Sequence, residues 1–106
     1  MTAMIEIDAM HAAAADASRL MKALANPDRL MLLCRLSQGE ASVGELEAEL
    51  GILQPTLSQQ LTVLRGEELV DTRREGKHVF YRVRSRQALA VLKVLYQQYC
   101  SGKAAK

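Results

Sequence analysis

Cys34 and Cys100 are the two thiols of this chain, and His11 and His78 its two imidazoles. A closed zinc site needs four N or S ligands, usually in close pairs such as Cys-x2–4-Cys, and two widely spaced thiols do not complete one. No metal and no other cofactor is therefore expected. A thiol oxidoreductase would need a Cys-x-x-Cys pair or a base beside the cysteine, and neither is visible, so an enzyme is not expected either. Each thiol is then either a small buried hydrophobe or a reactive group. The helical neighbours of Cys34 are Leu30, Met31, Ser37 and Gln38, and those of Cys100 include Tyr96 and Gln97. None is cationic, so any lowering of a thiol pKa has to come from tertiary contacts.

A second constellation runs from Leu53 to Arg65. Leu57, Leu61 and Leu64 fall at i, i+4 and i+7, one apolar stripe of a helix, with Pro55 tolerated in its first turn. The other faces carry Gln54, Thr56, Ser58, Gln59, Gln60, Thr62 and Arg65, and no acid stands between Gly51 and Gly66. Amide, hydroxyl and guanidinium groups can hydrogen-bond base edges and phosphates, and a carboxylate-free face does not repel DNA. An ordinary solvated helix face is the alternative. The neighbouring segments favour DNA. Ser42-Val43-Gly44-Glu45 has the spacing of a capping box, followed by Leu46, Leu50 and a Gly51 suited to a helix C-terminus. A short helix, a tight turn and a polar-faced helix make a helix-turn-helix. Leu69 to Arg74 and Lys77 to Arg84 then read as strands around Glu75-Gly76, a hairpin. From Asp71 to Arg86 there are six Lys or Arg against two acids, net +4, whereas residues 40–50 hold four Glu and no cation. A basic ribbon beside an acid-free helix is the footprint of a duplex-binding wing, with Arg73, Arg74, Lys77 and His78 as phosphate neighbours. A charged edge strand protected from aggregation is the bland alternative.

The elements that must hold these residues follow from patterning. At 106 residues and net charge +2, the chain is one domain with a limited core, for which oligomerisation is an expected source of stability. Residues 1–8 read as a flexible arm, 9–100 as the folded domain and 101–106 as a flexible tail. Neither a signal peptide nor a membrane span fits the start of the chain, so a cytoplasmic protein without membrane contact is expected. Met10, Ala13, Ala14, Ala17, Leu20, Met21 and Leu24 repeat at helical spacing, with small residues that admit a close helix neighbour. Asn26 and Pro27 start a second helix, apolar nearly all round from Leu30 to Leu36, ending near Gly39. Ser85 caps a last helix whose stripe is Ala88, Leu89, Leu92, Leu95, Tyr96 and Tyr99. The first and last stripes both need partners, within one chain or between two.

Leu53 to Arg65, with Leu69-Val70, Arg73 to Gly76, Val79-Phe80-Tyr81 and the upstream Ala23 to Leu30, resembles the ArsR/SmtB family of winged-helix repressors. The likeness covers roughly residues 20–100. It implies a mainly α fold with a small β-hairpin: a winged helix-turn-helix of five helices and a two-stranded wing, forming a homodimer through the first and last helices. It also implies a double-stranded, partly palindromic operator, read by two helices about one DNA turn, ~34 Å, apart. The family's metal ligands lie on the helix before the recognition helix or on the last helix. The matching positions here, 42–46 and the His-free run 87–99, carry neither pattern. Cys34 and Cys100 instead match the two-cysteine branch, which senses persulfides and related reactive sulfur species. Its cysteines join within one subunit as a di- or polysulfide, weakening operator binding. The alternative is a winged-helix dimer acting as a protein-interaction module or antirepressor, without thiol sensing. Three positions depart from the pattern: Leu53 replaces a capping Ser, Gln60 an often-present His, and Glu68 a Gly that here stands at 66. A helix that frays or bends near Gly66, and altered operator preference, are the expected consequences.

Overall fold

Local capping signals set most of the helix boundaries in the computed structural model, which describes residues 6–101. Helix α1 spans Ile7–Leu24, so it begins inside the segment expected to be an arm. Residues 1–5 and the tail from 102 lie outside the described residues. Helix α2, Pro27–Leu36, starts where Asn26 Oδ1 accepts from the Arg29 backbone N–H at 3.0 Å, with Pro27 in its first turn. Helix α3, Val43–Leu50, has the reciprocal capping box: Ser42 Oγ accepts from Glu45 N at 3.1 Å and Glu45 Oε1 accepts from Ser42 N at 2.8 Å. Gly51 ends it at φ 72°, a left-handed conformation that glycine takes without steric cost.

Helix α4, Thr56–Gly66, starts directly after Pro55, which stands at its N-cap and not inside its first turn. Leu53 is not its cap. Instead Gln54 Oε1 accepts from the Ser58 N–H at 3.3 Å and from the Ser58 hydroxyl, a substitute for the missing serine. The helix stops at Gly66, and Glu68 carries the left-handed turn at φ 60°. Helix α5, Arg86–Tyr96, is capped by Ser85 Oγ, which accepts from Ala88 N at 3.0 Å. It runs on into a π turn, Gln97–Ser101, that carries Cys100.

The wing is larger than two strands. Val70–Glu75 and His78–Val83 pair antiparallel, and a two-residue strand, Ala41–Ser42, adds to the second of them. With β1 at Ala41–Ser42, β2 at Val70–Glu75 and β3 at His78–Val83, the order is β1-β3-β2. Glu75 pairs with His78, so the turn is Gly76-Lys77 and not Glu75-Gly76, with Gly76 at φ 62°. Strand β1 is too short to show a period of two in the sequence, and the wing is thereby anchored at the start of α3.

Leu32, Leu33 and Leu36 of α2, Leu46 of α3, Leu57, Leu61 and Leu64 of α4, and Ala88 and Leu92 of α5 form one buried core. Helix α1 contributes only Ala23 and Leu24 to it, leaving Ile7 and Met21 each 61% exposed. The stripes of α1 and α5 do not close on each other within the chain. An open cleft of about 640 Å³ lies between them, lined by Ala13, Ala17 and Leu20 on one side and Gln87 and Val91 on the other. No described helix is long and apolar enough to cross a membrane.

The strained position at Glu68 gives a stability test. Left-handed backbone costs a residue with a Cβ about 1–2 kcal/mol, and glycine escapes that at a smaller entropic cost. The exposed pair from Arg84 Nη1 to Glu68 Oε1, 3.3 Å, offsets little of it. Glu68→Gly is expected to raise stability by on the order of 0.5–1 kcal/mol in urea unfolding; a loss of stability would show that the turn is not held in this conformation.

Candidate nucleic-acid interface and thiol pair

Burial of Leu57, Leu61 and Leu64 turns the opposite face of α4 outward, and Gln54, Thr56, Ser58, Gln59, Thr62 and Arg65 are all exposed there. Thr62 Oγ1 donates to the Ser58 carbonyl at 2.8 Å, which orients its methyl and hydroxyl. Gln60 is different. It is half-buried, and its Oε1 accepts from Arg29 Nη1 at 3.0 Å, so it faces α2 and not the open groove side. Gln60 is thus a link between helices more than a reader of bases.

Arg29 is the residue that sequence reasoning passed over. Its Nε donates to the Ala23 carbonyl at 2.8 Å and its Nη2 to the Lys22 carbonyl at 3.2 Å. One guanidinium therefore ties the C-terminal carbonyls of α1, the start of α2 and the middle of α4. A cation beside a helix C-terminus also meets the negative end of its dipole. The visible signal was an arginine in the first turn after Asn26-Pro27, a place where cations are unfavourable unless they are used elsewhere.

On the wing, Arg74, Lys77 and His78 are exposed. Arg73 is already engaged. Glu40 grips its guanidinium through both carboxylate oxygens, at 2.9 and 3.0 Å from Nε, Glu75 lies 3.2 Å from Nη1, and the group sits 4.5 Å from the centre of the Phe80 ring. The Arg73 guanidinium holds the Glu40 carboxyl below its ordinary range. Asp71 faces Arg82 at 3.7 Å and Glu68 faces Arg84 at 3.3 Å. The formal +4 of this segment is therefore partly neutralised at home. Among the described residues, Arg65, Arg74 and Lys77 have no carboxylate within 4.0 Å.

The thiols meet at the other end of α2. Cys34 is half-buried, Cys100 is exposed on the π turn, both are free, and both open on one cavity of about 530 Å³. Ser37 Oγ donates to the Cys34 carbonyl at 2.6 Å, so that hydroxyl does not activate the thiol. Burial pushes the Cys34 thiol above its usual value, and the Cys100 thiolate nearby pushes it further. Tertiary contacts do not activate Cys34; they hold it protonated. Among the described residues no group of three or more His, Cys, Asp or Glu could hold a metal ion.

A capped helix, a tight turn, a helix with an exposed acid-free face and a cationic three-stranded wing define a winged helix-turn-helix DNA-binding protein. The model of the arsR family of bacterial regulatory proteins matches residues 26–72. The biofilm growth-associated repressor of Agrobacterium fabrum is 54% identical over 92% of this chain and 83% of its own length. The crystal structure of the transcriptional regulator HlyU from Vibrio vulnificus superposes with a TM-score of 0.85 at 43% identity, over 91% of this chain and all of that one. A homodimeric winged helix-turn-helix DNA-binding domain from Mycobacterium bovis gives a TM-score of 0.73 at 28% identity, over 100% of this chain and 96% of that one. The chain belongs to the ArsR family and is a DNA-binding transcriptional regulator.

The two thiols should be separable by alkylation. Cys100, being exposed, is expected to take iodoacetamide first, while Cys34 reacts slowly at pH 8 and gains rate only above the usual thiol range. Replacing Cys100 with Ser removes a neighbouring negative charge and should move the Cys34 profile to lower pH. Equal rates for both cysteines across this range would contradict the geometry.

Proposed function

We propose that the protein is a homodimeric repressor that lays α4 in the major groove of a partly palindromic operator and releases it when Cys34 and Cys100 become joined through sulfur. The observation that carries this reading is the shared cavity: the two thiols, far apart in the chain, open on one space between α2 and the end of the last helix. Dimerisation through α1 and α5 is supported by the apolar side chains that one chain leaves uncovered, Ile7, Met10 and Met21 on α1 and Leu89, Val94 and Tyr96 on α5. The homodimeric relative fits the same arrangement. The relative from Agrobacterium fabrum, a repressor, supports the sign of regulation.

The chemistry balances without an added oxidant when the inducer is a persulfide, RSSH. The Cys100 thiolate attacks the outer sulfur, the RS–S bond breaks, and the thiol RSH leaves, giving Cys100 as S–SH. The Cys34 thiolate then attacks the Cys100 sulfur and displaces hydrosulfide, closing a disulfide while the transferred sulfur is reduced to sulfide. If both cysteines carry an added sulfur, their union as a trisulfide likewise expels H₂S. The raised Cys34 pKa lowers its thiolate fraction, and the intramolecular geometry of the second step offsets that. Either bridge ties α2 to the last helix, and Arg29–Gln60 connects α2 to α4. A coupling of about 1–3 kcal/mol, roughly 5- to 150-fold in DNA affinity, suffices for regulation.

The base-facing set in this reading is Gln54, Thr56, Ser58, Gln59 and Thr62, with Arg65, Arg74, Lys77 and His78 toward phosphates and Arg73 available once Glu40 releases it. Arg74→Ala and Lys77→Ala are each expected to weaken binding across all sequences. Each should also reduce the slope of log K against log salt by about 2, one phosphate contact being lost from each protomer of the dimer. Slopes unchanged from the parent would take the wing off the DNA. Treatment with glutathione persulfide is expected to weaken operator binding in gel shifts, with mass spectrometry reading the bridge. Cys34→Ser and Cys100→Ser should each abolish the response; retained sensitivity in both would remove the thiol mechanism while leaving DNA binding intact.

A further inference from the structure

The cavity shared by the thiols is lined on its apolar side by Leu30, Met31, Leu50 and Tyr96. Its size, about 530 Å³, is that of a small-molecule site and exceeds what two thiols need in order to meet. Arg35 is the charged side chain on this lining, and it is already spent: Nε donates to the Glu49 carboxylate and Nη1 to the Gly39 carbonyl at 2.9 Å. The polar groups are committed too. Ser37 Oγ donates to the Cys34 carbonyl and accepts from Gln38 Nε2 at 3.4 Å. A ligand entering here finds aliphatic and aromatic surface, two sulfur atoms and no uncompensated charge.

We infer that this cavity selects uncharged, apolar organic persulfides, of the alkyl or aryl hydropersulfide class, over charged peptide persulfides such as that of glutathione. The inference rests on the thiol-sensing reading and narrows its substrate. The alkyl or aryl group lies against Met31, Leu50 and Tyr96, which presents the outer sulfur to Cys100. The carboxylates of a glutathione carrier find Arg35 already paired with Glu49 and no other cation on the lining, and remain in solvent. The transfer itself is the one written above: the outer sulfur passes to Cys100, the RS–S bond breaks, and the apolar thiol RSH leaves. Each methylene that leaves water for the cavity adds up to about fourfold to the second-order rate. A hexyl carrier is therefore expected to react at least on the order of tenfold faster than a glutathione carrier.

The test is a timed-quench mass-spectrometric assay on the full chain with three donors, hexyl hydropersulfide, glutathione persulfide and inorganic tetrasulfide, each rate divided by that donor's rate with free cysteine. A normalised preference for the hexyl donor is the expected result. Met31→Lys puts a cation at a site 43% exposed in the folded chain and should erase the preference, with the far-UV circular dichroism unchanged. Equal normalised rates for the hexyl and glutathione donors, with tetrasulfide still reacting, would overturn the selectivity and leave thiol sensing standing. Failure of all three donors to modify either cysteine would bring down both.

Discussion

The burial of Leu57, Leu61 and Leu64 against the leucines of α2 is the constraint on which the rest depends, because it sets the rotation of α4 about its own axis. A helix repeats every 3.6 residues, so once these three are sealed in the core, Ser58, Gln59, Thr62 and Val63 between them face out while Gln60 turns toward α2. The outward set is free of carboxylates from Thr56 to Arg65. Leu64 and Leu61 are as fully buried as Leu32 and Leu33. A rotation of α4 would expose leucine and bury amide groups without partners, costing both hydrophobic stabilisation and hydrogen bonds. The carboxylate-free outer face of α4 is thus a by-product of core packing.

Around that helix the charges are arranged in two tiers. Glu40 directly precedes the short edge strand, and its partner Arg73 lies over Phe80 on the wing. An exposed pair of this kind contributes little to stability, being screened by solvent. Its consequence is electrostatic: the carboxylate orients the arginine and offsets its charge. Arg65 on α4 and Arg74 and Lys77 on the wing have no such partner among the described residues. On the proposed reading, these uncommitted cations attract a duplex at long range and Arg73 joins on contact.

Helix α2 is the common member of the two halves of the molecule. Near its first turn Arg29 reaches both the end of α1 and Gln60 of α4; five residues on, Cys34 shares a cavity with Cys100. On the proposed reading, a bridge between the thiols acts on the same short helix that Arg29 fastens to α4. The π turn at Gln97–Ser101 lies at the other end of the same contact. Such turns are poorer in backbone geometry than α-helix and are frequent at functional positions. The exposed thiol of Cys100 therefore stands on this turn and the half-buried thiol of Cys34 on α2.

Signals confined to four or five neighbouring residues were legible without coordinates. Asn26, Ser42 with Glu45, Gly51 and Ser85 stop or start helices through bonds to backbone atoms within one turn, and the leucine spacing of α2, α4 and α5 names the core. The two strands of the wing were readable in the same way. The third strand was not, since two residues hold no period. The turn position shifted by one residue because the register is set by cross-strand pairing of Glu75 with His78 and not by the glycine alone. The partners of Gln60 and Arg73 stand 31 and 33 residues away, so only the packing of α2 on α4 and of β1 on β3 could reveal that these side chains are already engaged. The environment of Cys34 belongs to the same kind: its ionisation follows first from burial and then from the charge of Cys100, 66 residues on, which only the folded chain brings near. Sequence determined the elements and their faces because those depend on local periodicity; tertiary structure decided which polar side chains are free to bind anything, because that depends on what distant segments bring beside them.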